Sequence, residues 1–215
     1  MLTIRQLAPL FLVAALGISQ ADPNLVVNGG FETGDFTGWA VSGDLSPCLF
    51  VGTIGDAGSN GSCDPTTAIA PENGNFAAYL GNNDADAYLS QNIVTNAANG
   101  TYTISFWLAS QSAVPPTDFY VYWGGRTLMY QGNLPQFGWR QYTFTGLTAS
   151  GPTTNLMFGF RDDATYLALD NISVVDPPAA VPEPSALIPV VLLLTCLGIR
   201  SYRAKHSMQP AAVRK

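Results

Sequence analysis

Residues 101–109 read TYTISFWLA, and their alternation is the tightest constraint that this chain places on its own fold. Tyr102, Ile104, Phe106 and Leu108 recur at a spacing of two, with Thr103, Ser105 and Trp107 between them. A period of two sends successive side chains to opposite sides of an extended strand, so this stretch predicts a strand with one apolar face. Shorter runs with β-branched or aromatic residues recur along the chain: 25–27, 38–42, 48–51, 76–80, 88–94, 118–123 (DFYVYW), 126–130, 138–147, 156–161 (LMFGFR) and 165–175 (TYLALDNISVV). Gly, Pro, Asn and Asp separate them and predict turns at 81–84, 96–100, 112–116 and 161–163, with a tight hairpin on Gly124-Gly125. Residues 52–73 predict a long irregular loop, and no part of this region carries a 3.6-residue period. Roughly nine to eleven short strands joined this way specify an all-β antiparallel sandwich or barrel.

The two ends of the chain are built differently. Residues 1–21 have the parts of a secretory signal peptide: Arg5, an apolar stretch at 7–16, and small residues at Ser19-Gln20-Ala21 before Asp22-Pro23. The β domain then occupies residues 22–176, followed by a Pro-rich linker at 177–184, an apolar segment at 185–203 and a basic tail at 204–215. The apolar core of that segment, 186–199, has 14 residues. As a helix it would span ~21 Å, against about 30 Å of bilayer hydrocarbon. Positive charge after the run and an acidic domain before it orient the tail toward the cytoplasm.

Charge excludes several functions. From Asp22 to Pro184 there are fifteen carboxylates and three cations, Arg126, Arg140 and Arg161, for a formal charge of −12 with no Lys or His. Such a domain repels phosphate backbones, so nucleic acid is not an expected partner. Without His it also lacks Ser-His and Cys-His nucleophile pairs and imidazole metal sites. Cys48 and Cys63 flank a Gly/Ser/Asp-rich loop, and export makes a disulfide between them the expectation. Such a bridge would contribute about 3 kcal/mol.

The C-terminus resembles a bacterial PEP-CTERM sorting signal. The resemblance rests on Pro182-Glu183-Pro184, the apolar run at 186–199, and the basic residues Arg200, Arg203 and Lys205, although here the chain continues through SMQPAAVRK. It implies recognition of the Pro-Glu-Pro region by exosortase-type machinery, a transient membrane anchor through the C-terminal helix, and release to the cell envelope or extracellular matrix. NGGFETGDFTGW near the N-terminus and LALDNISVV at the end of the domain resemble the galactose-binding-like jelly roll of many carbohydrate-binding modules. That resemblance implies that the first and last strands meet and that a structural Ca2+ sits there. Glu32 and Asp170 occupy the positions of its acidic ligands; calcium takes six to eight hard oxygens, which suits them.

Sugar recognition needs aromatic rings and a few polar groups. Trp107, Tyr120, Tyr122, Arg126 and Arg161 are the candidates on or near the central strands, although a sandwich core also consumes aromatics. Carboxylate pairs such as Asp84/Asp86 and Asp162/Asp163 leave a glycan hydrolase as a third reading. The leading expectation is a non-enzymatic, exported and surface-sorted jelly-roll protein that contacts extracellular polysaccharide. A structural or adhesive matrix protein with no defined sugar ligand is the alternative.

Overall fold

A computed structural model describes residues 23–44, 48–53, 69–95, 100–111 and 113–176. The signal peptide, the Pro-Glu-Pro linker, the apolar segment, the basic tail and Cys63 lie outside the described residues. Among the described residues no helix is long and apolar enough to cross a membrane. The described residues form eight strands: β1 (Ala40–Gly43), β2 (Leu49–Gly52), β3 (Ala77–Val94), β4 (Thr101–Ser110), β5 (Thr117–Trp123), β6 (Arg126–Gln131), β7 (Phe137–Thr148) and β8 (Thr153–Val175). Every pairing between them is antiparallel.

Two long strands, β3 and β8, pair along their length and belong to both leaves of a sandwich. Residues 87–94 of β3 and 153–160 of β8 sit in one leaf, ordered β1-β3-β8-β5-β6. Residues 77–80 of β3 and 167–175 of β8 sit in the other, ordered β2-β3-β8-β4-β7. The turns predicted at 81–84 and 161–163 are therefore not chain reversals. They are irregularities inside continuous strands, where the register slips between Leu80/Asn82 and Asn82/Ala87. Asn82 keeps the ladder satisfied across the slip: its Oδ1 accepts from the Asp162 amide at 3.1 Å and its Nδ2 donates to the Phe160 carbonyl at 3.3 Å. Polar residues that usually turn a chain here bend a strand from one leaf into the other.

The alternation of β4 survives intact. Tyr102, Ile104, Phe106 and Leu108 are fully buried, and Phe106 meets Phe158 edge-to-face at 5.2 Å and Phe119 at 5.9 Å across the core. Phe119, Val121 and Trp123 from β5 and Leu156, Phe158 and Phe160 from β8 complete this layer. Each such side chain contributes about 1.5–3 kcal/mol of burial. Trp123 also donates its indole N–H to the Thr148 carbonyl at 2.8 Å, which satisfies the one polar atom it brings inside. Gly124 and Gly125, at φ 57° and 81°, close the predicted tight hairpin between β5 and β6.

The run at 25–27 does not form a strand, contrary to its composition. Asn28 and Phe31 adopt positive φ (54° and 56°) and curl the chain, so the segment touches β8 only at spaced points. Leu25 donates to the Val174 carbonyl at 2.8 Å and Ile172 donates to the Gly29 carbonyl at 2.9 Å. The beginning and the end of the domain thus meet. Gly29 is required there, since a Cβ at that position would lie 2.1 Å from the Ile172 carbonyl oxygen.

Candidate functional site

β5 alternates Thr117, Phe119, Val121 and Trp123 toward the core with Asp118, Tyr120 and Tyr122 toward solvent. Its neighbours in the same leaf add to that outer face. Tyr120 stands in register with Gly159 of β8, Gly159 with Tyr88 of β3, and Tyr120 with Tyr130 of β6. Tyr120 stacks on Tyr130 (4.7 Å, 20°) and lies nearly parallel to Tyr122 (6.1 Å, 11°). Gly159 makes the row possible: a Cβ there would lie 2.9 Å from Tyr88 Cε1 and 3.1 Å from Tyr120 Cδ2. The result is a row of half-buried and exposed tyrosine rings across β3, β5 and β6.

Charged groups gather at one end of the row. Arg161 is in register with Asp118 and donates from Nε and Nη2 to the two carboxylate oxygens of Asp163, both at 2.8 Å. This bidentate pair raises the Arg161 pKa and lowers that of Asp163. Asp118 Oδ1 accepts from the Asn133 amide at 3.0 Å. Desolvation, then the carboxylates of Asp86 and Asp118, push the Tyr120 phenol up to about 12. Desolvation, then Tyr88 and Asp86, raise Tyr122. Both phenols stay protonated at neutral pH and can donate to an acceptor.

Of the residues singled out by sequence, Tyr120, Tyr122 and Arg161 come together on this face. Arg126 sits apart from Arg161, exposed beside the hairpin and in register with Trp123. Trp107 lies in the other leaf, half-buried, in register with Asp170 on one side and Gln141 on the other. Tyr88, Tyr130 and Gly159 were not singled out. Outward alternation around the buried Ala87 and Leu89 could have marked Tyr88. The acidic pair Asp162/Asp163 is split: Asp162 is buried, with Oδ1 accepting from the Thr165 amide at 2.9 Å, and Asp163 is committed to Arg161.

Glu32 and Asp170 converge on a second place, where the ends of the domain meet. The fully buried carboxylate of Asp170 accepts from the amides of Glu72 (2.9 Å), Asn73 (3.2 Å) and Asn171 (2.7 Å). Burial nevertheless dominates and raises its pKa to about 6. The exposed Glu32 carboxylate accepts from the amides of Asn75 (2.9 Å) and Phe76 (3.1 Å). Both acids therefore anchor the loop before β3. The open side of Gly30 is shared by oxygen-bearing groups: a Cβ there would lie 3.6 Å from Asn171 Oδ1 and 3.8 Å from both Asp170 Oδ1 and Glu32 Cγ. No cluster of three or more His, Cys, Asp or Glu side chains suited to a metal occurs among the described residues.

No protein-family model matches this chain, and no curated protein matches its sequence. Solved structures do match. TmCBM61, solved in complex with β-1,4-galactotriose, is 19% identical, with a TM-score of 0.53 over 72% of this chain and 99% of that one. The CBM22-1 xylan-binding domain from Paenibacillus barcinonensis is 18% identical, with a TM-score of 0.47 over 76% of this chain and 100% of that one. A family 16 carbohydrate-binding module is 21% identical, with a TM-score of 0.43 over 71% of this chain and 99% of that one. At these identities the likeness is one of fold: the described residues form an antiparallel all-β jelly roll like that of TmCBM61.

Proposed function

We propose that this is an exported, non-enzymatic protein that binds extracellular polysaccharide on the tyrosine face of its jelly roll. The row of Tyr88, Tyr120, Tyr122 and Tyr130 around Gly159 carries the reading. Rings stacked on one another present their edges and hydroxyls along the sheet surface and leave a free plane only at the ends of the row, so the hydroxyls offer hydrogen bonds to sugar hydroxyls and an end ring can take a pyranose face. Four rings in series suit an extended neutral oligosaccharide. TmCBM61, which shares this fold and was solved with β-1,4-galactotriose, supports the same reading.

The test is a glycan array with the full-length protein, followed by titration calorimetry on any hit. Binding of neutral oligosaccharides, weakened about tenfold or more in Tyr120→Ala, supports the proposal. Silence across all sugars overturns it in favour of a matrix protein without a sugar ligand.

A structural calcium ion fits the donor chemistry around Gly30. Asp170, Glu32 and the Asn171 side-chain oxygen would hold it, since each carboxylate oxygen can accept a hydrogen bond and still face a metal. The ion would offset the buried charge of Asp170 and tie the first loop to β8. Stability is the readout: calcium should raise the melting temperature over that in chelator, and Glu32→Ala with Asp170→Ala should abolish the difference. An equal midpoint with and without chelator removes calcium from the account.

The Pro-Glu-Pro tail supports export and surface sorting by exosortase-type machinery, with Pro182, Glu183, Pro184 and Arg200 as the recognised residues. Export in turn supports a Cys48–Cys63 disulfide. A mass increase on alkylation only after reduction would report the bridge.

A further inference from the structure

At the open side of the sandwich, the outermost strands of the two leaves carry polar residues where their neighbours carry core residues. On β7, Arg140 is in register with the fully buried Leu108; on β6, Gln131 is in register with the fully buried Phe119. Among the described residues β6 pairs only with β5 and β7 only with β4, so both positions border the gap between the leaves. The gap is a cavity of about 350 Å3, lined by Gln131, Leu134, Pro135, Phe137, Arg140 and Tyr142. Its size falls at the low end of the range for small-molecule sites, about 300–1,000 Å3.

The lining is chemically specific. The Arg140 guanidinium lies over the Phe137 ring, 4.5 Å from its centroid. No carboxylate or carbonyl among the described residues takes a hydrogen bond or ion pair from it, whereas Arg161 is neutralised by Asp163. Tyr142 is held parallel to Phe106 at 5.4 Å, which fixes one of its faces and leaves the ring bordering the cavity. The site thus offers a planar cation with unused donors, an aromatic ring and an amide. Arg140 is itself exposed, at the rim of the cavity; a charge on an edge strand also protects the edge, but edge protection needs neither a cavity nor a second polar residue opposite.

We propose that this cavity binds one carboxylate-bearing sugar unit, with the carboxylate on Arg140, the pyranose against Tyr142 and hydroxyls on Gln131. Arg is suited to a carboxylate because its N–H groups match two oxygens at once. The formal −12 of residues 22–184 disfavours a dense polyanion, so the fitting ligand is a largely neutral glycan with an isolated uronate. The cavity adjoins the tyrosine face through β6: Gly132 lines the cavity, and a Cβ on it would lie 2.6 Å from the Tyr130 hydroxyl. The proposal rests on the polysaccharide reading only for the carrier of the carboxylate.

The test uses an aldobiouronate, a disaccharide with one uronate and one neutral sugar, beside its uncharged methyl ester, in titration calorimetry on the full-length protein. The acid should bind about tenfold or more tightly than the ester. Arg140→Gln should erase that difference, Arg140→Lys should restore part of it, and Tyr120→Ala should leave it in place. Equal binding of acid and ester, no binding of the acid, or an acid preference that persists in Arg140→Gln overturns the proposal. The acid–ester comparison needs no variant, so a folding defect cannot obscure it. Neutral glycans that fail to bind while the Arg140-dependent preference holds would remove the tyrosine-face reading and keep this site.

Discussion

An alanine at position 159 would bring its Cβ within 2.9 Å of Tyr88 and 3.1 Å of Tyr120, and in both cases the atom it meets belongs to a partly exposed ring. Those rings can tilt outward, so the variant should lose about 1 kcal/mol, equivalent to about 2–4 °C in a domain of this size. The aligned planes, however, would be lost. Gly159→Ala should therefore weaken neutral glycan binding at least tenfold while melting within a few degrees of the wild type; full retention of affinity would show that the row is not the contact surface. Asp170 gives a second prediction at this scale. Its folded pKa is raised to about 6 from 3.8, so between those values the folded state holds a proton that the unfolded chain has released. Stability from this group is present at low pH and is lost as pH rises through about 6. In chelator the melting temperature of the wild type should fall relative to that of Asp170→Asn between pH 5 and pH 7. A difference that stays constant across that window would show that the carboxylate is not desolvated. The groups with lowered pKa, Asp35 and Asp163, lose their contribution as pH falls below the usual carboxylate range, outside that interval.

The strands of the core were legible because alternation is local. Nothing beyond residues 101–109 is needed to see which side of β4 is buried, and the Gly-Gly pair marks the β5–β6 hairpin with equal clarity. What the sequence could not supply is register. Residues 81–84 and 161–163 have turn composition, and whether they reverse the chain or bend a strand depends on partners some eighty positions away, as the Asn82–Asp162 hydrogen bond illustrates. The tyrosine row has the same origin. Counting back from Gly124-Gly125 pairs Tyr120 with Met129, and only the register shift between Val121 and Tyr122 brings Tyr130 opposite it. Glycines at these junctions give the element-scale prediction. Gly81 would set a Cβ 2.5 Å from the Thr165 carbonyl oxygen, and Gly29 would set one 2.1 Å from that of Ile172. Both obstacles are backbone in the long central strand and cannot tilt aside as a side chain can. Gly29→Ala and Gly81→Ala should each cost about 2–3 kcal/mol in denaturant titrations, well above Gly159→Ala. The reverse order would mean that β8 yields where the tyrosine rings do not.

Taken whole, the chain on the proposed reading divides its work between a domain and an address written at its ends. The domain closes on itself, since Leu25 bonds to Val174 and the chain enters and leaves the sandwich at neighbouring points. Among the described residues the core is drawn from residues 26–174, and the three arginines of the domain lie at its surface or along its edge cavity. On the proposed reading the terminal apolar segments act on transport. On that reading, a domain without lysine, followed by a short apolar run and then by most of the chain's positive charge, would stop in a membrane with the tail behind it. A 14-residue run is a weak permanent anchor, which fits a segment held until the chain is cut near Pro182-Glu183-Pro184. Replacing those three residues by alanine in a host with exosortase-type machinery should trap a longer form in the membrane fraction. The unaltered chain should appear shortened in the envelope or matrix fraction. Both forms should bind the same glycans, because the substitution lies beyond β8. Identical mass and location for the two would mean that the triplet is not the recognised feature, and that the apolar run anchors the domain without processing.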